Sequence, residues 1–278
     1  MFNNEELKFY HVIDAIAKTG APIVFKGAMV TKILLNENKC AFARSTKDID
    51  ADWVSKPPTM EELERMLNKA VQSLGNYKVI PYREYQGNTK SAGFEIYEGE
   101  HLFTTIDISM KDNPYYETYN FEKFSFRGSS VNKILADKIS AVSTEKVFRR
   151  AKDVVDIYAL SSCVSFDFNE INRIAKESGR TFGDFSDFMT RREELEHAYQ
   201  KLKRIVHKPN FNDVYEVVKT VLTPFIEKQK NNFSIWSPVS EKWECPSLES
   251  RVYAAGKKIA TEDKTNMNQK FSDKEQER

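Results

Sequence analysis

The chain has 278 residues, with 42 lysines and arginines against 41 aspartates and glutamates, for a net charge of +1. That balance excludes both a uniformly basic coat for nucleic acid and an acidic solvating tail. With 40% hydrophobic residues, the chain carries enough apolar material for one large domain or two modest ones, folding without staples.

Cys40, Cys163 and Cys245 are far apart in sequence and lack CxxC spacing, so neither a disulfide framework nor a zinc site is indicated. No run approaches the ~18 consecutive apolar residues of a membrane span. The start, MFNNEELKF, has acids where a signal peptide needs a basic region. A cytoplasmic protein with no membrane partner is expected. The four histidines form no His-x-x-x-His pair, so any metal is expected to be a hard ion held by carboxylates, which points to magnesium.

Leu7, Tyr10, Ile13, Ile16 and Ala17 recur at helical spacing and predict a helix stopped near Gly20. The run Ala21 to Phe25 reads as a buried strand, followed by the turn Lys26-Gly27-Ala28 and a helix through Leu35. Period-two alternation predicts a strand from Arg44 to Trp53 with Asp48, Asp50 and Asp52 on one face. Pro57-Pro58 breaks it, and Thr59 with Glu62 forms a capping box for a helix from Met60 to Leu74. Strand-rich runs follow at Tyr77 to Tyr85, Ala92 to Tyr97 and His101 to Met110. Beyond Ser129 the pattern is helical, over Val131 to Val142, Glu145 to Leu160, Asn169 to Glu177, Arg191 to Val206 and Asp213 to Lys228. The loop-like Arg127-Gly128-Ser129-Ser130 marks the boundary. The expected organisation is an α/β core over 1–128, a helical unit over 129–260 and a polar tail over 261–278.

Three features carry chemistry. Asp48 and Asp50, at i and i+2 of a strand, project from one face, and Asp107 on a neighbouring strand can complete an acidic cluster; such a cluster holds magnesium for phosphoryl or nucleotidyl transfer. A solvated strand face with an incidental Asp-x-Asp is the competing reading. Gly27, between a strand and a helix, lets backbone amides approach phosphate oxygens, although no Walker motif is present. From His197 to Asn212 the chain has Lys201, Lys203, Arg204 and Lys208 with no acid, interleaved with Tyr199 and Phe211. This strip suits an RNA backbone or is simply a basic exposed helix face.

Phe25-Lys26-Gly27-Ala28, then Arg44 to Asp50, then Ile106-Asp107-Ile108 resemble the successive signatures of the nucleotidyltransferase superfamily with a polymerase-β-like core. Leu135 to Ala141 and Arg149 to Leu160 resemble, more closely, the helical signatures of the AbiEii/AbiGii-type toxin nucleotidyltransferases. The resemblance covers residues 20–162. It implies an α+β fold, with a mixed-sheet nucleotidyltransferase core followed by helices. It assigns Gly27 to the first motif, Asp48 and Asp50 to the metal pair with Asp107 less uniformly required, Lys138 to the third motif and Asp153 to the fourth. Ala28 departs from the second glycine or serine that many relatives carry.

The residues agree with this assignment. Lys138 stands among Ile134, Leu135, Ile139 and Val142 and can present a compact cation to a triphosphate. Lys26, Gly27, Ala28, Arg44 and Lys47 complete the expected nucleotide site, while Arg149, Arg150, Lys201, Lys203 and Arg204 are the candidates for holding an acceptor. Asp153 and Asp156 are also spaced for ion pairs within their own helix. The function implied is magnesium-dependent transfer of a nucleoside monophosphate from an NTP to an acceptor, the 3′ end of tRNA. The protein would be the toxin of a toxin–antitoxin or phage-defence system with a cognate antitoxin. Transfer to a protein hydroxyl, or nucleotide binding without catalysis, are the alternatives.

Overall fold

The computed structural model describes residues 4–40, 43–85, 90–229 and 234–245. The tail predicted over 261–278 lies outside the described residues, as does 246–260 of the predicted helical unit.

Helix α1 (Asn4–Ala17), strand β1 (Ile23–Lys26) and helix α2 (Ala28–Glu37) fall where the apolar spacing predicts them. The strand expected from Arg44 divides into β2 (Ala43–Arg44) and β3 (Asp48–Trp53). The Thr46 hydroxyl accepts from the Asp48 amide at 3.3 Å and turns the chain between them. Helix α3 (Met60–Gln72) opens on the predicted capping box, with Thr59 and Glu62 each accepting from the other's amide. Strands β4 (Tyr77–Arg83), β5 (Ser91–Glu98) and β6 (His101–Ser109) follow as expected.

Two further strands, β7 (Tyr116–Phe121) and β8 (Phe124–Ser129), correct the loop predicted at Arg127 to Ser130. Gly128 is a strand residue that lies beside Phe25 of β1 in a parallel pairing. A Cβ there would stand 2.7 Å from the Tyr119 ring, so this glycine permits a close approach inside the sheet.

The seven strands are ordered β4-β5-β6-β3-β1-β8-β7, with β3 parallel to β6, β1 parallel to β8 and the other neighbours antiparallel. Alternation along β3 and β6 gives the sheet two unlike faces. Ile49, Ala51, Ile106 and Ile108 join Phe94 of β5 and Leu63, Leu67 and Val71 of α3 in the buried core. Asp48, Asp50 and Asp107 take the alternate positions, toward the opposite face.

Helix α4 (Val131–Val142) matches its predicted bounds. The helix expected from Glu145 begins instead with a left-handed Lys146 and a short 3-10 turn, Val147–Arg150, before α5 (Ala151–Ser161). Strand β9 (Phe166–Asp167), α6 (Phe168–Glu177), α7 (Ser186–Thr190) and α8 (Arg192–Gln200) come next. The helix expected to reach Val206 ends at Gln200. Arg204 is left-handed at φ 64°, and the Lys208 ammonium donates to the carbonyls of Tyr199, Gln200 and Leu202. The released segment forms β10 (Ile205–Val206), antiparallel to β2. Helix α9 (Phe211–Ile226) and strands β11 (Ile235–Ser237) and β12 (Lys242–Glu244) complete the described chain, with β12, β11 and β9 forming a small sheet.

One continuous cluster of buried apolar side chains runs from Phe9 to Trp236. Helix α5 packs on α9, α4 and α2, which brings the helical part against the side of the sheet where β1 and β8 lie. Cys40 and Cys163, remote in sequence, are free thiols that both donate to the Ala159 carbonyl, at 3.9 and 3.4 Å. No helix among the described residues is long and apolar enough to cross a membrane.

Candidate active site

The end of β1 and the start of α2 form the floor of the site. Gly27 caps α2 with φ 74° and ψ −153°, a region open essentially only to glycine, and no side chain caps that end. A Cβ on Gly27 would lie 2.6 Å from Asp50 Oδ2. The helix N-terminus, with its outward amides and positive end of the dipole, therefore abuts one of the paired carboxylates. Ala28 is the first residue of the helix and lines the cleft.

Asp48 is exposed at the start of β3, and Thr105 Oγ1 donates to its Oδ1 at 3.4 Å. Asp50 is recessed. Burial, reinforced by the like charges of Asp107 and Asp48, pushes its carboxyl above the usual range against the pull of Lys26 and Lys138. Asp107 stands beside Asp50 in register on β6 but is already engaged, accepting from Tyr82 Oη at 2.7 Å and from Arg83. Among the described residues no three His, Cys, Asp or Glu side chains converge to hold a metal. The donor set near the cleft is the Asp48–Asp50 pair. Two carboxylates suit Mg²⁺, which commonly takes its remaining ligands from water and substrate phosphate.

The opposite wall is helical and cationic. Lys138 of α4, only 9% exposed, donates from Nζ to Asp156 at 2.6 Å and to Asp153 at 3.4 Å. Arg44 donates to both Asp156 oxygens, at 2.9 and 3.2 Å. Burial alone would raise Asp156; Lys138 and Arg44 outweigh it and hold that carboxyl below the usual range. Burial likewise would lower Lys138 and Arg44, and Asp156 foremost keeps both above their ordinary values. Arg149, Arg150, Lys152 and Arg180 line the same open cleft of about 400 Å³ with Asp48, Asp50 and Gly27.

The structure thus brings together Lys26, Gly27, Ala28, Arg44, Asp48, Asp50, Lys138, Arg149, Arg150 and Asp153 around one cleft. Lys26 points its ammonium at the buried Asp52 and at Ser109 Oγ, 3.2 Å away. Lys47, which is exposed, and Asp107, which is half-buried, both lie outside the cleft lining. Lys201 lines a separate groove with Phe148 and His197, and Lys203 and Arg204 are exposed. The Arg204 carbonyl accepts from the Ser45 amide at 3.1 Å, a backbone contact next to the cleft residue Arg44, while no lysine or arginine of the basic strip is among the described residues that line the cleft. Asp156 is the residue the sequence undervalues: it pairs across elements, not within its helix. An acid flanked by Val154, Val155 and Ile157 was the available signal that it is buried and partnered.

A sheet of this order, with a glycine-led helix at its centre and helices closing one side, is a fold that nucleotidyltransferases share. The family model described as "Nucleotidyl transferase AbiEii toxin, Type IV TA system" matches residues 14–219, and the chain belongs to that family. Membership implies a nucleoside triphosphate substrate and an antitoxin partner. Among solved structures, MenT4, a nucleotidyltransferase toxin from Mycobacterium tuberculosis, is similar at 14% identity and a TM-score of 0.55, over 82% of this chain and 84% of that one. JHP933 from Helicobacter pylori is similar at 16% identity and a TM-score of 0.51, over 82% and 96%. At these identities the likeness is one of fold. No curated protein matches the chain.

Proposed function

We propose that the cleft transfers a nucleoside monophosphate from a magnesium-bound NTP to the 3′ hydroxyl of an RNA, with tRNA as the acceptor. The observation that carries this reading is the contact of the α2 N-terminus with Asp50 across the cleft from a wall of cations. Triphosphate oxygens would lie on the amides of α2 and on Lys138, Arg149, Arg150 and Lys152. Asp48 and Asp50 would hold Mg²⁺, which supplies charge neutralisation at the phosphates. Asp153 positions the Lys138 ammonium, and the Asp156–Arg44 pair fixes the helix that carries Asp153. The acceptor oxygen bonds to the α-phosphorus as the bond to pyrophosphate breaks, and the hydroxyl proton passes to water in the open cleft.

In this reading the sheet and the amides of α2 carry metal and phosphate floor, while the segment from α4 onward closes the cleft. The test is magnesium-dependent pyrophosphate release with total tRNA, using each NTP separately, for the wild type and Asp48→Asn. Sequencing of tRNA 3′ ends identifies the nucleotide and acceptor. Label that becomes protein-bound and resists RNase indicates a protein acceptor instead. Absence of release with every NTP and acceptor would falsify the transferase reading.

A further inference from the structure

The strand registers place Lys26, Asp50, Asp107, Gly93 and Arg83 in one row across β1, β3, β6, β5 and β4. The cations proposed to hold the triphosphate, on α4, the 3-10 turn and α5, line one cleft with Lys26 and Gly27 at the β1 end of this row, whereas Asp107, Gly93 and Arg83 lie outside that lining. In-line displacement puts the attacking oxygen and the leaving pyrophosphate on opposite sides of the phosphorus. With Asp48 and Asp50 at the centre, the acceptor has to arrive from the β4 side.

That side carries a built surface. Tyr82 is 46% exposed, although it belongs to a strand of the main sheet. Its hydroxyl is tied to Asp107, and the Arg83 guanidinium lies 5.6 Å from its ring centroid. Gly93 makes the ring position possible, because a Cβ there would sit 2.6 Å from Tyr82 Cζ and 2.9 Å from its Oη. Arg83 Nε is buried without a hydrogen-bond partner among the described residues. The ring is therefore held in place, with nearly half its surface open. It lies about two strand spacings, ~10 Å, from Asp50.

Resting on the transferase reading, we propose that Tyr82 and Arg83 form the shelf that receives the 3′-terminal nucleoside of the RNA acceptor. The base stacks on the ring and guanidinium planes, as single-stranded RNA does on aromatic and arginine side chains. In the absence of Mg²⁺ the uncompensated acids Asp48 and Asp50 repel phosphate, so the shelf then takes an end with a free hydroxyl and rejects a 3′-phosphorylated one. Arg149 and Arg150 then serve the triphosphate and not the acceptor.

The experiment uses the full chain with a 5′-labelled single-stranded RNA bearing either a free 3′ hydroxyl or a 3′ phosphate. RNA binding is measured by fluorescence anisotropy in the absence of Mg²⁺, and binding of a non-hydrolysable NTP with Mg²⁺ by calorimetry. Tyr82→Ala is expected to weaken binding of the hydroxyl-ended RNA roughly tenfold, in the range measured for loss of one stacked base. Gly93→Ala, which removes no functional group but displaces the ring, should do the same. Tyr82→Phe, which keeps the ring, should bind the RNA within about threefold of wild type, and NTP affinity should stay within twofold in all three. RNA binding unchanged by Tyr82→Ala, an equal loss of NTP affinity, or equal binding of both RNA ends overturns the shelf. Intact pyrophosphate release without dependence on Tyr82 sinks only this inference, whereas no release with any acceptor sinks the transferase reading itself.

Discussion

The two walls of the cleft solve their electrostatics in opposite ways. On the sheet wall, Asp48 and Asp50 stand close to each other and to Asp107, and Asp50 resists ionisation through burial and like charge. On the helical wall, Asp156 gathers Arg44 and Lys138 into a closed network in which each buried charge has a partner. The first wall leaves its acids uncompensated, as the proposed magnesium site requires; the second is complete without an added cation. Chemistry should therefore separate from stability on the sheet wall and be bound to it on the helical wall.

The largest test of that contrast is Asp50→Asn. If Asp50 holds magnesium as proposed, its loss is expected to lower pyrophosphate release at least a thousandfold, about 4 kcal/mol in barrier. The melting temperature should hold or rise, because an acid that resists ionisation in the folded state contributes nothing to stability when charged. A fall in melting temperature parallel to the activity loss would break the contrast.

Asp156→Ala should instead destabilise by about 3–5 kcal/mol in urea unfolding, since it takes the shared carboxylate from Arg44 and leaves Lys138 only the longer contact to Asp153. The same network sets a pH dependence. The folded carboxyl of Asp156 lies below its unfolded value of about 3.9. Its stabilisation is thus fully present above that value and is lost as pH falls through the lower folded one. Urea midpoints measured from pH 6 down to 3 should show this loss in the wild type and a smaller one in Asp156→Asn.

Gly27→Ala tests where the walls meet. The backbone conformation costs alanine about 1–3 kcal/mol, and the new methyl displaces Asp50. Stability and NTP turnover should fall together, read by unfolding and pyrophosphate release on the same sample. At the small end, Thr59→Ala removes a cap remote from both walls. It should cost about 1 kcal/mol in unfolding and leave turnover unchanged.

Much of this was legible in the sequence wherever the signal is local. Period-two alternation in β3, the Thr59–Glu62 box and the bounds of α4 follow from neighbours within a few residues. Motif order carried the reading further, to the glycine turn, the Asp pair and the lysine and acid of α4 and α5. Signals set by distant partners were not legible. Gly128 reads as a loop because only the Tyr119 ring explains it as a strand residue. The helix toward Val206 appears continuous because its true end depends on Lys208 folding back and on β2 recruiting β10. Tyr82 carries no motif at all; its placement depends on Gly93, eleven positions on and across a strand pair.

The closed network on the helical wall also constrains how such a gene changes under selection. Arg44 and Lys138 share Asp156 as their buried partner, so replacing that acid disturbs both cations at once. A lineage that gains by silencing the enzyme while keeping a folded protein for its partner would meet a fitness valley on that wall. The accessible path runs through the exposed Asp48, where one substitution would remove a proposed magnesium ligand and leave the fold alone. Silenced but intact relatives should therefore carry their lesion in the sheet and preserve the helical triad unchanged.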